Sequence, residues 1–143
     1  MAYFVLLHKY KLMKTLSFKI FTLAFMLLCS ISLVRADVFD DITQTFRTMD
    51  SRNIANHFDT SIELKIDENS NTYSKIQAEM VLKNFFDQIK PNQFTLIHKG
   101  AGNRGTTYAI GNVETEKGKY RFYIYFKDIP GNFIIQQLNI EKS

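Results

Sequence analysis

The sequence predicts an α+β fold, and three observations carry the prediction. Apolar residues recur at helical spacing around residues 38–49 and again around residues 76–89. Four later segments, Gln93–Lys99, Thr106–Thr115, Lys119–Lys127 and Phe133–Glu141, read as strands. Short breaks separate them, so successive strands pair as antiparallel neighbours. The expected order is two N-terminal helices, a short strand pair, a longer helix, then a four-stranded antiparallel meander. The helices have one sheet face to cover, so a curved sheet is expected to wrap around a helical layer.

Charge and apolar patterning divide the chain before any element is placed. The 143 residues carry 18 Lys plus Arg against 14 Asp plus Glu, a formal charge of +4. Residues 1–36 hold five of the bases (Lys9, Lys11, Lys14, Lys19 and Arg35) and none of the acids. Residues 37–143 therefore have thirteen bases against fourteen acids, a balance of −1. A basic nucleic-acid-binding domain is disfavoured, because the excess positive charge lies in the leader. Residues 20–34 are uncharged and mostly apolar, lysines precede them, and Val34-Arg35-Ala36 follows. These are the parts of a secretory signal peptide, with cleavage expected after Ala36. A membrane anchor would need about 20 apolar residues, and the run stops at Arg35. Met13 followed by Lys14 would open a more compact leader than Met1 does. Cys29 follows Leu28 rather than a small residue, so it reads as part of the leader's apolar core. Residues 37–143 then form one cysteine-free domain, exported to the periplasm or secreted, that relies on its apolar core without disulfides. The membrane is met only through the signal peptide during export.

The elements follow in order. Val38, Ile42, Phe46 and Met49 form one apolar stripe over Asp37–Met49, with Asp37, Asp40 and Asp41 in the first turn where the helix dipole favours acids. Asp50-Ser51 breaks that helix and caps a short second one, with Ile54, Ala55 and Phe58 inward. Ile62–Ile66 alternates as a half-buried strand, Asp67–Asn71 suits a turn, and Thr72-Tyr73 pairs back. Ser74 and Gln77 make a capping box, in which each side chain satisfies the other residue's free backbone N–H. The helix it opens has Ile76, Leu82, Phe85, Phe86 and Ile89 as its core face, and Pro91 stops it. Lys117-Gly118 and Pro130-Gly131-Asn132 are hairpin reversals.

This order, with Tyr73-Ser74-Lys75-Ile76-Gln77-Ala78-Glu79, Val81-Leu82-Lys83-Asn84-Phe85-Phe86, Tyr108-Ala109-Ile110-Gly111 and Ile135-Gln136-Gln137-Leu138-Asn139-Ile140, resembles a known family. It looks like the small exported bacterial proteins of domain-of-unknown-function family 4783, in the nuclear transport factor 2-like superfamily. The resemblance implies a cone-shaped nuclear transport factor 2-like (cystatin-like) fold. The open end of that cone often holds a small molecule, and its outer sheet face often dimerises. The superfamily includes isomerases, dehydratases, cyclases and plain binding modules, so the fold does not choose a function. No position matches a catalytic motif of the enzymatic branches.

Gly100-Ala101-Gly102-Asn103-Arg104-Gly105 fits G-x-G-x-x-G, but that motif works only between a strand and a helix. Here strands flank it, and a hairpin loop is expected. His57 and His98 lack partners at metal-ligand spacing, so neither a metal nor another cofactor is implied. Glu63 and Lys65 share the solvated face of their strand, and Glu79 and Asp87 sit four residues from Lys83 as helix ion pairs. Tyr120, Phe122, Ile124 and Phe126 occupy one face of their strand, the core side. Arg121, Tyr123, Tyr125 and Lys127 occupy the other, suited to a ligand wall or a subunit contact. The last strand is read as apolar on both faces: Ile134, Leu138 and Ile140 lie beside Gln136 on one, and Phe133 and Ile135 lie on the other. Both faces are therefore expected to be covered.

The expected function is a non-catalytic exported module that binds a small apolar ligand, a peptide or a second copy through the cone and sheet. Its candidate lining is His98, Tyr108, Tyr123, Tyr125 and Gln136. The alternative is a small isomerase or dehydratase-type enzyme. It would transfer a proton through His98 or a buried carboxylate, assisted by Tyr108 or Tyr123, and needs an ionisable group at the floor of a closed apolar pocket.

Overall fold

The computed structural model describes residues 37–102 and 105–143. The leader, with Cys29 and the cleavage point, lies outside them, as do Asn103 and Arg104 of the glycine loop. Three helices and six strands run in the order α1 (Val38–Arg47), α2 (Ser51–Asn56), β1 (Phe58–Ile66), β2 (Asn69–Ser74), α3 (Lys75–Ile89), β3 (Pro91–Ala101), β4 (Thr107–Thr115), β5 (Gly118–Ile129) and β6 (Asn132–Lys142). The element order agrees with the sequence reading. Among the described residues no helix is long and apolar enough to cross a membrane.

Local chemistry sets the helix boundaries. Asp37 and Asp50 cap α1 and α2 through their carboxylates. The Ser74–Gln77 capping box opens α3, with Ser74 N–H donating to Gln77 Oε1 at 3.1 Å. Lys90 closes the helix in the left-handed region, and Pro91 cannot extend it. The second strand starts at Asn69, earlier than expected, so the turn shrinks to Asp67-Glu68 with Asp67 at φ 50°.

The strands form a single sheet in the order β2-β1-β6-β5-β4-β3. The β3–β6 meander is antiparallel, but β1 lies parallel to β6, so the sheet is mixed. The helices cover one face. Phe46, Phe122, Phe126 and Phe133 are buried there with Ile42, Leu82, Ile124 and Leu138. Phe46 meets Phe122 edge-on and lies against Phe94, and Phe39 and Phe133 both meet Phe126 edge-on. Phe94 lies so close across Gly111 of the neighbouring strand that any Cβ there would collide with its ring. The β3–β4 hairpin closes with Gly102 N–H donating to Thr106 O at 2.7 Å, and a strand follows the glycine loop. The context of a nucleotide-binding turn is missing there.

Three side-chain assignments change. Ile76 is 72% exposed, because Ala78, Leu82, Phe85 and Ile89 set the inward phase of α3 and Ile76 falls outside it. Glu79 pairs with Arg52 of α2, at 3.5 Å, while Lys83 takes Asp87 alone at 2.9 Å. The third change concerns β6. Tyr125 pairs with Gln137 and Phe126 with Ile135, so Gln136 is the extra residue of a β-bulge. The bulge reverses the alternation midway. Phe133, Ile135, Leu138 and Ile140 all end buried on the helix side, leaving Ile134 as the aliphatic residue of β6 on the outer face. The expectation of two apolar faces on this strand is therefore wrong.

Candidate functional site

The sheet's outer face carries the residues singled out from the sequence. Cross-strand register builds two rows over its middle. One runs Gly100, Tyr108, Tyr125, Gln137, Glu63; the other runs His98, Ile110, Tyr123, Asn139, Lys65. On β4 and β5 these residues alternate with buried ones, so their side chains stand away from the helices, and His98 and Gly100 of β3 join them through their register with β4. Tyr108, Ile110, Tyr123 and Tyr125 are half-buried, and His98 is exposed.

Contacts within the face hold several of these groups in place. Tyr108 lies over Gly100, where an added Cβ would come within 2.8 Å of the phenol oxygen. Its hydroxyl is 3.0 Å from His98 Nε2, and its ring centroid is 6.5 Å from that of Tyr125. Gln137 Nε2 donates to Asn139 Oδ1 at 3.2 Å, and Arg121 Nε to Asn112 Oδ1 at 3.4 Å. Lys65 pairs with Glu141 at 3.0 Å, and that partner raises its ammonium pKa. Gln136 sits apart from the tyrosines. Its Nε2 donates to Asp59 Oδ2 at 3.1 Å, and this bond, with the Thr60 N–H, holds the Asp59 carboxyl below its ordinary range. The structure thus gathers His98, Tyr108, Tyr123 and Tyr125 on one surface and gives Gln136 to the bulge.

None of the five lines a hollow between helices and sheet, because aromatic rings and aliphatic side chains fill that space. Thr45 and Ser51 are its buried polar residues. Among the described residues its ionisable group is Tyr120, whose phenol burial pushes up in pKa as it meets Phe85 edge-on. Among the described residues no acid or base stands at the floor of a closed pocket, which the isomerase-type reading needs. Among the described residues no three His, Cys, Asp or Glu side chains converge on a metal position.

Clefts among the described residues lie elsewhere on the domain. One, of about 280 Å³, lies between α1 and the β5–β6 turn and includes Asp41, Thr45 and His57. The His57 ring stacks on Phe133 with centroids 4.1 Å apart, and its Nδ1 is 3.1 Å from Asn132 Oδ1. Asn132 Oδ1 also accepts from the Phe133 N–H at 2.8 Å. A second, of about 300 Å³, lies between the β1–β2 hairpin and α3. Sequence reading passed over both. The first joins segments distant in the chain, whereas the second is walled by three consecutive elements, β1, β2 and α3, and its local signal is a row of uncharged side chains at positions 76, 80, 84 and 88.

Three helices on a curved mixed sheet, a filled interior and an outer polar-aromatic face define an α+β protein of the nuclear transport factor 2-like fold. The designed protein Rd1NTF2_04 with long sheet shares it, at a TM-score of 0.56 and 18% identity, covering 72% of this chain and 95% of that one. The chain belongs to the family described as Domain of unknown function (DUF4783), which matches residues 39–141. Crystal structures of two proteins of that family are similar to it. The protein from Bacteroides ovatus ATCC 8483 has a TM-score of 0.65 and 22% identity, over 71% of this chain and 92% of that one. The protein from Bacteroides uniformis ATCC 8492 has a TM-score of 0.66 and 23% identity, over 75% and 98%. No curated protein matches the chain.

Proposed function

We propose that this is an exported, non-catalytic binding module whose recognition surface is the outer face of the sheet, and that its partner there is a second copy of the chain. The observation that carries the reading is the Tyr108–Tyr123–Tyr125 cluster with Ile110, a half-buried aromatic patch on the side of the sheet away from the helices. Tyrosine gives a large contact area with a polar tip and little side-chain entropy to lose, which suits an interface centre. The surrounding charges have both signs: Arg121, Lys65 and Lys127 against Glu141, Glu63 and Asp59. A two-fold contact sets a surface against itself, and mixed charge permits that where a single sign would repel.

Tyr123→Glu tests the reading. It places a charge at the patch centre without touching the core, so a wild-type dimer should become a folded monomer by light scattering. A wild type that is monomeric at high concentration, or a mutant of unchanged mass, would end the proposal. Export rests on the basic start and apolar run of residues 1–36. Mass spectrometry of protein recovered from its host should find Asp37 as the first residue, and retention of residues 20–34 would mean an anchored chain instead.

A further inference from the structure

We infer that the groove between the β1–β2 hairpin and α3 is a binding site for a small uncharged amphiphile, with an apolar body and amide or hydroxyl groups along one edge. It is separate from the sheet face, and the inference does not depend on the dimer.

The groove measures about 300 Å³, at the lower end of the range for small-molecule sites. Its floor is apolar. Leu64 and Phe85 belong to the core, and Ile66 and Val81 pack half-buried against it. Its rim is Asn69, Asn84 and Gln88 with Tyr73, so three carboxamides and a phenol surround an aliphatic and aromatic base. Each carboxamide offers both a donor and an acceptor, and none of the lining groups is charged at neutral pH.

Among the described residues no charged side chain lines the groove. Lys83, next to Asn84, is bonded to Asp87, next to Gln88, and Asp67 and Glu68 of the hairpin turn adjoin Ile66 and Asn69 without lining it. A charged ligand would leave water for a site without a counter-ion, at a desolvation cost the groove cannot return. An uncharged one loses little and gains the apolar floor. The α3 row at intervals of four residues, Ile76, Met80, Asn84 and Gln88, continues the rim beyond the groove. Ile76 and Met80 are 72% and 62% exposed, which provides an apolar lip where the core needs none.

Two probes with one aromatic frame isolate the charge criterion: uncharged N-phenyl-1-naphthylamine, and 1-anilinonaphthalene-8-sulfonate, which adds a sulfonate. The full chain should brighten the uncharged probe saturably at one site and bind the sulfonate at least about tenfold more weakly. Val81→Trp fills the groove and should weaken the uncharged probe by about tenfold or more. Asn84→Trp, a change at an exposed helix position, should do the same and covers the case in which Val81→Trp does not fold. Tyr123→Glu on the far face should leave binding unchanged, which separates this result from the fate of the dimer. Failure of the uncharged probe to bind, equal binding of both probes, or undiminished binding by a folded groove-filling variant would each overturn the assignment.

Discussion

The two faces of β5 differ more than their shared sequence segment suggests. Tyr120, Phe122, Ile124 and Phe126 point under the helices and are buried, while Arg121, Tyr123 and Tyr125 between them remain half-exposed. Both rows are rich in aromatic residues, so aromatic content alone does not separate core from surface. The separator is the polar tip: only Tyr120 carries a hydroxyl on the inner row, at its end, whereas the outer row has a hydroxyl or a charge at each place. The inner face is occupied by the protein's own side chains. Among the described residues no helix covers the outer face, which is why the binding proposal belongs there.

The largest effect expected from breaking this comparison is at Phe122. Phe122→Ala empties a fully buried site between Phe46 and Phe86 and should destabilise the domain by about 3–5 kcal/mol in urea denaturation. Its neighbour gives the contrast. Tyr123→Ser should cost about 1 kcal/mol when measured on the monomer, because Tyr123 is only half-buried and its loss leaves no enclosed cavity. Similar losses at both positions would mean that the outer face is also packed.

The smallest effect concerns pH and Tyr120. Burial raises its folded-state pKa above that of the unfolded chain, so its contribution to stability is complete below about pH 10 and declines as the pH climbs from there through the folded value. Tyr120→Phe should remove part of the alkaline loss in thermal melts and leave the neutral range little changed. An identical alkaline limb in that variant would assign the loss to other groups.

What could be read in advance was what is local. The capping box involves residues three apart, and its geometry follows from the chain itself, so Ser74 and Gln77 were legible as a pair. The hairpins of the meander were legible for the same reason. The Gln136 bulge was not, since an extra residue is defined only against the partner strand, and strict alternation assigned Leu138 and Ile140 to the wrong face. Ile76 was misplaced because an apolar residue near a helix start can fit an inward stripe by type while the phase is set by residues further along. Tyr123 and Tyr125 were legible on the face away from the core, because alternation along one strand places them there, but that Tyr108 and His98 join them depends on cross-strand register. The groove under α3 is built from consecutive elements, β1, β2 and α3, but it depends on the angle at which the hairpin meets the helix, which residue pattern does not encode.

The parallel contact between β1 and β6 has a consequence for how the protein is made. The strand beginning at Phe58 has its inner neighbour in residues 132–142, which are synthesised only after the rest of the meander. Until that portion emerges, the β1–β2 hairpin and the meander lack the seam that joins them into one sheet, and a nascent chain cannot complete its native architecture. Closure across so long a loop is slow. The two local hairpin systems can therefore form before the sheet exists, and the β1–β6 seam is the step that unites them.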